Sequence, residues 1–342
     1  MEAFRRQHRV DPDLIRRMQY LLYRSAKPVE LALARLGVTA AAAAKETFDL
    51  SPLQLINRHD SKIDGSVKLV LEARDGLRIE TVLLCAYSAR TTVCISTQVG
   101  CRAGCTFCAT ARMGLKRNLT RVEILEQIAI AARIAQDEGR RLRNLVFMGM
   151  GEPLHNELEL HAAVEILLAP LGFGIAPKRI TVSTVGVPDA MRRLVDRFPG
   201  IQVALSLHSA RPELRAKLIP WSRQHEWQEL HDALRDVANR PALHRNHVVM
   251  IEHLMLAGVN DNPEDADALI EYLAGIPCLV NLIPYNPIPY APNWAPTARE
   301  HRGEFANRLR AAGLFTTIRY SMGSDVNAAC GQLVQQHLDP AN

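Results

Sequence analysis

Residues 93–110 read VCISTQVGCRAGCTFCAT, and within them Cys101, Cys105 and Cys108 share one short loop at a C-x3-C-x2-C spacing. Thiolates are soft ligands that suit iron–sulfur clusters or zinc. A zinc ribbon needs two separated C-x2-C pairs, and this chain has one. Three cysteines this close can instead hold three corners of a [4Fe-4S] cubane. The fourth iron then has no protein ligand, and an open coordination position is a reactive one. Such an iron would chelate the amino and carboxylate groups of S-adenosylmethionine (SAM), and one electron would then break the sulfonium bond. Phe107, between the last two cysteines, reads as a shield over the cluster.

The cysteine loop stands at the head of a repeating pattern. Strand-like TTVCIST (91–97) precedes it, and a helical pattern over 121–138 follows. Strand-like segments then recur at 145–150, 179–185, 201–207, 247–256, 278–285 and 314–320. Between them fall helical patterns near 157–168, 188–197, 211–217, 226–238, 263–274 and 298–312. Apolar strands alternating with amphipathic helices predict parallel βαβ units. The strands are nearly continuous Val, Ile and Leu, so the sheet should be covered on both faces. Six or seven units make an open or closed β/α barrel, with ligands gathered at the carboxyl ends of the strands. Cys101–Cys108, Gly149–Glu152, Ser183–Gly186, Ser206–His208 and Asn286 all fall just after strands, and so should converge on one rim.

Upstream, SVKLVLEA (66–73) and RIETVLLCAY (78–87) read as two strands joined by the turn residues Arg74-Asp75-Gly76. Residues 1–48 are rich in Ala, Leu and Arg and read as helical. The expected organisation is therefore a helical accessory region over 1–64, a β-hairpin extension over 65–90, a β/α core over 91–320 and a C-terminal segment over 321–342. The chain has 342 residues, 48% of them hydrophobic, enough for a sizeable core. It has no run of 18 apolar residues and no apolar signal-peptide core, so the expectation is a reducing cytosol and no membrane. There, seven cysteines argue for metal or catalytic thiols rather than structural disulfides. The net charge of +5 is mildly basic. Arg5, Arg6, Arg9, Arg16, Arg17, Arg24 and Lys27 cluster near the start, which suits a nucleic-acid backbone or a solvated helix face.

Gly149 and Gly151 in FMGMGEPL (147–154) would let backbone approach a ligand closely, and Glu152 offers an acceptor for an ammonium group. Ser183, Ser206, His208 and Asn286 could bond ribose, carboxylate or adenine. Cys85 and Cys278 read as small buried hydrophobes. Cys94 lies on the first core strand, and Cys330 lies in GSDVNAACGQL (323–333) between two glycines, which suggests a mobile loop. Neither fits the cluster spacing.

The stretches IETV (79–82), VCISTQVGCRAGCTFCAT (93–110), FMGMGEPL, ITVSTVG (180–186), ALSLHS (204–209), NLIPYNP (281–287) and GSDVNAACGQL carry a resemblance that spans about residues 65–335. In this order they resemble the RlmN/Cfr family of radical SAM methyltransferases, which methylate an adenine of 23S rRNA. The resemblance implies an α/β fold with a radical SAM partial (β/α)6-type barrel and a catalytic-cysteine loop at the C-terminus. It implies a [4Fe-4S] cluster on Cys101, Cys105 and Cys108, and SAM contacts at Gly151, Glu152, Ser183, Ser206, Leu207, His208 and Asn286. Two SAM molecules are expected per turnover. One methylates Cys330; the other yields a radical that takes hydrogen from the S-methyl group, and the methylene radical adds to adenine. Cys94 matches the thiol that resolves the protein–RNA thioether by a transient disulfide, and is also a candidate for the base, and Glu80 matches a proton acceptor. Gly323 and Asp325 should shape the Cys330 loop. The implied partners are RNA (23S rRNA, or tRNA) and an electron donor such as flavodoxin or ferredoxin, for a monomeric cytoplasmic enzyme. The region before residue 65 departs from the family's accessory domain. Tyr285 stands where many C2-methylating members carry tryptophan, while Ser324 and SLHS lie closer to C8-methylating members. C2 is the expected position and C8 the alternative.

Overall fold

The chain is described by a computed structural model that covers residues 2–85, 90–240, 249–288 and 294–333. Residues 86–87 of the second hairpin strand, 88–89 of the extension, 247–248 of the strand at 247–256 and 334–342 of the C-terminal segment lie outside the described residues. The strands are β1 (Leu53–Asp60), β2 (Val67–Ala73), β3 (Arg78–Cys85), β4 (Arg90–Cys94), β5 (Gln98–Val99), β6 (Arg117–Asn118), β7 (Arg141–Phe147), β8 (Ile180–Thr184), β9 (Gln202–Ser206), β10 (Val249–Met255), β11 (Cys278–Pro284) and β12 (Phe315–Ile318).

Ten of them form one sheet in the order β1-β2-β3-β4-β7-β8-β9-β10-β11-β12, and β5 pairs with β6 beside it. From β1 to β4 the pairings are antiparallel. From β4 to β12 they are parallel. Six parallel strands match the expected barrel type, and β12 adds a seventh at an open edge. Val182, Leu205, Ile251 and Val280 are wholly buried, as strands covered on both faces should be. The crossover helices run at Arg121–Asp137, Glu157–Leu168, Pro188–Arg197, Pro212–Leu218, Trp227–Ala238, Pro263–Tyr272 and Arg299–Ala311. Thr120 and Glu123 form a reciprocal capping box at the first of these.

The N-terminal helices end at Thr47 and pack around their own core of Phe4, Ile15, Met18, Leu33 and Ala44. Residues 53–60, counted from the sequence among the helical region, instead form β1. This is an edge strand whose side chains after Leu53 are mostly exposed, so it carries no alternating apolar signal. The Arg74-Asp75-Gly76 turn joins β2 to β3 as expected, with Gly76 donating to the Ala73 carbonyl at 2.9 Å. Cys278 is buried, but Cys85 is half-buried, with its sulfur beside Arg140. Among the described residues no helix is long and apolar enough to cross a membrane.

The start of β1 rests on Glu126, whose Oε2 accepts the Leu53 amide at 2.8 Å. Burial lifts this carboxyl from an ordinary 4.5 to about 7, against the pull of the Leu53 amide and the Ser51 hydroxyl. The folded chain therefore holds the proton more tightly than the unfolded chain. Its contribution is complete below the unfolded value and is lost as pH rises through about 7. Relative to Glu126→Gln, the native chain should lose on the order of 2 kcal/mol of stability between pH 5 and 8, read from denaturant melts across that range.

Candidate active site

The cysteine loop is bedded on its neighbours by backbone bonds. Beyond Cys94 the chain leaves regular pairing: Ile95 donates to the Val146 carbonyl at 2.9 Å, and Thr97 to the Met150 carbonyl at 2.8 Å. The Ser96 hydroxyl joins both sides, donating to Glu80 O at 2.6 Å and accepting the Met150 amide at 2.9 Å. Downstream, Thr106 donates to Leu218 O at 3.0 Å, and Trp221 donates to Ala103 O at 3.2 Å. Cys101, Cys105 and half-buried Cys108 belong to one apolar cluster with Val185, Leu218 and Tyr285. Phe107 meets His208 edge-on, with ring centroids 4.8 Å apart.

Burial pushes the Cys101 thiol up to about 12, and the nearby Cys108 and Glu152 charges add to that. Burial raises Cys105 well above the ordinary thiol value, helped by Cys108, Cys101 and Glu152, while the Arg215 charge opposes. Burial raises Cys108 as well. Three thiols and a carboxylate thus lie buried near one another, where ionising them without a cation is costly. A cationic cluster core removes that penalty and takes the thiols as thiolates. Among the described residues no three His, Cys, Asp or Glu side chains close on a single-ion position; a cubane spreads its thiolates over its corners instead. The donor set fits a cluster.

Glu152 is buried, and its oxygens accept the Leu154 amide at 3.0 Å and the Val185 amide at 2.8 Å. Burial lifts its carboxyl to about 7 against those bonds. Gly149 and Gly151 serve a close approach within the protein itself. A Cβ on Gly149 would lie 2.7 Å from the Ile95 backbone, and one on Gly151 would lie 2.5 Å from the Gln98 Cβ. Their smallness lets the end of β7 press against residues 95–98. Ser183 and Ser206 meet across β8 and β9, with hydroxyls 3.4 Å apart. His208 has a positive φ of 58° and is buried; its Nδ1 accepts the Leu254 amide at 3.0 Å, which leaves the ring proton on Nε2. Burial, with His253 and Arg215 nearby, lowers its pKa well below the ordinary value. The Leu207 side chain is fully buried, and its amide and carbonyl are taken by Glu252 O and Arg215.

Asn286 donates from Nδ2 to the Cys330 carbonyl at 3.3 Å. Cys330 opens to solvent from within a dense surround of protein. That surround raises its thiol pKa; Arg319 opposes the shift, and Glu252 and Cys108 add to it. Cys94 is buried at the end of β4, and its thiol is raised first by burial and then by the charge of Cys330. All seven cysteines are free thiols. Glu80 is buried against Lys68, with Oε1 3.2 Å from Nζ.

Sequence reading missed three buried charged residues around this rim. Arg215, 1% exposed, donates to the carbonyls of Ser206, Leu207 and Val185. Lys68 is the second. Glu252 lies in register with Ser206 and Asn281, and its Oε1 accepts the Asn281 amide at 2.9 Å. A charged residue inside an apolar run was a usable signal for Glu252 in 249–256 and for Lys68 in 67–71; nothing comparable marked Arg215.

The family model for the radical SAM superfamily matches residues 95–273, from the end of β4 through the helix before β11. With the open parallel barrel and the three-cysteine loop, that match makes the chain a radical SAM enzyme. A solved radical SAM methyltransferase from Sphaerobacter thermophilus superposes with a TM-score of 0.86 at 39% identity, covering 93% of this chain and 92% of that one. A probable RNA methyltransferase of Rhodopirellula baltica is 45% identical over 98% of this chain and 86% of its own length. The dual-specificity RNA methyltransferase RlmN of Nautilia profundicola is 38% identical over 86% of this chain and 84% of its own. The chain belongs to the RlmN family of SAM-dependent RNA methyltransferases.

At Gly151, a φ of 98° adds backbone strain to the Gln98 contact. Gly151→Ala should cost about 2 kcal/mol or more, while Gly76→Ala, at φ 78° in open space, should cost about 1 kcal/mol. Paired denaturant melts of the two variants would check the difference.

Proposed function

We propose that this RNA methyltransferase methylates a ring carbon of adenine, C2 of an adenine in the peptidyl-transferase centre of 23S rRNA, through a methyl group carried on Cys330. The observation that carries the reading is the company Cys330 keeps. Cys330 is an exposed thiol on a loop bonded to the residue after Cys108, with the Ala109 amide donating to Gly331 O at 2.7 Å, and its charge also reaches Cys94. A generic radical SAM enzyme needs neither Cys94 nor Cys330.

The substrate chemistry demands such a carrier. The amidine carbons of adenine are electron-poor sp2 centres and cannot displace a methyl group from a sulfonium. The [4Fe-4S] cluster, held by Cys101, Cys105 and Cys108, would supply the electron that splits SAM, two SAM being used per turnover. Glu152, Ser183, Ser206, His208 and Asn286 are the proposed SAM-facing residues, with Gly151 and Leu207 contributing backbone shape. Cys330 presents its S-methyl carbon to the base. Glu80, facing Lys68, is the proposed proton acceptor. Cys94 resolves the Cys330–RNA thioether by forming a transient disulfide. Burial keeps Cys94 protonated at rest, so it attacks only once a base takes its proton.

The same reading gives a monomeric cytoplasmic enzyme, an electron donor of the flavodoxin or ferredoxin type, and tRNA as a further substrate. C8 of the same adenine is the second reading, favoured by Ser324, Tyr285 and the SLHS segment. Mass spectrometry of nucleosides from rRNA and tRNA, with and without the active enzyme, separates 2-methyladenosine from 8-methyladenosine.

Cys330→Ala should yield no methylated RNA while keeping its iron content, and methylation by that variant would sink the carrier role. Cys94→Ala should accumulate a covalent protein–RNA adduct, seen as a slow nucleoprotein band on a denaturing gel. Cys101→Ala should lose most of its iron and sulfide after anaerobic reconstitution.

A further inference from the structure

The loop that bears Cys330 is fastened to the turn between β1 and β2, which lies outside the radical SAM match at 95–273. The attachment is reciprocal. Asp64 reaches into the loop, and its Oδ2 accepts the Gly323 amide at 2.7 Å while its Oδ1 accepts the Ser66 amide at 2.9 Å. Asp325 reaches back, and its Oδ1 accepts the Ser61 hydroxyl at 2.7 Å while its Oδ2 accepts the Lys62 amide at 2.9 Å. Deeper in, Lys68 Nζ donates to the Asn327 carbonyl at 3.4 Å. Beyond Cys330, the Ala109 amide donates to Gly331 O at 2.7 Å and the Thr110 hydroxyl to Leu333 O at 2.6 Å. The loop is thus held at its start by the N-terminal extension and at its end by the helix that follows Cys108.

The segment between these anchors is irregular. Gly323 and Asn327 both take left-handed backbone angles, at φ 66° and 51°, and Ala328 donates back to Gly323 O at 2.8 Å. No ladder of regular hydrogen bonds fixes such a loop, so its anchors decide where the cysteine stands. Bonds from charged acceptors to amides and hydroxyls are the stronger kind. Burial pushes the Asp64 carboxyl up, but its Gly323 and Ser66 donors outweigh this and leave it below the ordinary range. The Ser61 hydroxyl, aided by the Lys62 amide, holds Asp325 below that range too. Both carboxylates are ionised acceptors at neutral pH.

We propose that Ser61, Asp64 and Asp325 are positioning residues, a two-way clamp through which the N-terminal extension sets Cys330 at working distance from Cys94. The proposal rests on the reading of Cys330 as methyl carrier and of Cys94 as its resolving thiol. A sulfur that must meet first a methyl donor, then a base and then a second thiol tolerates little misplacement, and errors near 1 Å are enough to slow such steps greatly.

The test uses the full-length, cluster-loaded enzyme under anaerobic conditions, with Asp64→Asn, Asp325→Asn and the double variant. Glutathione disulfide is added without RNA, and peptide mass spectrometry follows closure of the Cys94–Cys330 disulfide. Each thiol gives up one hydrogen as the oxidant is reduced to two glutathiones. The unmutated chain should close the pair, and the double variant should close it about tenfold more slowly, with iron content and melting temperature unchanged. In RNA methylation the double variant should lose about tenfold in kcat while KM for RNA stays the same. Closure and kcat equal to those of the unmutated chain would overturn the clamp. So would losses that merely track lost iron or a lowered melting temperature, or failure of the unmutated chain to close. An unmutated enzyme that closes the disulfide but methylates no RNA would instead sink the functional reading and leave the clamp standing.

Discussion

Strand β4 pairs with β3 on one edge and β7 on the other, antiparallel and parallel respectively, and the placement of both distant thiols follows from this double pairing. Cys94 lies opposite Val82 on β3 and Val146 on β7, at the seam between two halves of one sheet. On the β3 side the extension continues through β2 to the turn that holds the Cys330 loop. On the β7 side the barrel begins, and its first loop bears the three clustered cysteines. Ten strands in a single hydrogen-bonded sheet give these halves a fixed relation that a flexible linker could not provide.

The barrel was legible from the sequence because its strands are buried on both faces and its helices on one. Continuous Val, Ile and Leu runs and a 3.6-residue period are signals that survive without an alignment. The helix at Glu157–Leu168 fell where its pattern placed it, and the other crossover helices fell within a few residues. The edge strand β1 was illegible for the opposite reason. One residue of it is buried and nearly all the rest face water, so its partner β2 defines it as a strand.

At the site, residue types with one dominant chemistry were legible, and those whose meaning depends on a distant contact were not. Three cysteines at close spacing announce a ligand set wherever they fall. Gly149 and Gly151 announce only a close approach, and in the fold residues 95–98 pack against both. Lys68 in a strand and Arg215 in a helix read as solvated charges, because most are. Their burial depends on Glu80, across a hairpin, and on three carbonyls at the ends of β8 and β9.

Arg215 shows how the rim and its cofactor depend on each other. Its donors go to neutral carbonyls, so the strand ends are satisfied but the charge is not, and burial lowers its pKa to about 10 with Tyr272 and Cys105 opposing. Near it, burial holds Cys101, Cys105, Cys108 and Glu152 back from ionising, and repulsion from the neighbouring acids adds to this at Cys101 and Cys105. The rim thus contains a cation lacking an anion beside acids that resist becoming anions. A metal cluster that took the three thiols as thiolates would relieve both at once. Ligand deprotonation would then be coupled to the packing of the strand ends, and the free energy of cluster binding would become in part the free energy of ordering the loops beyond them.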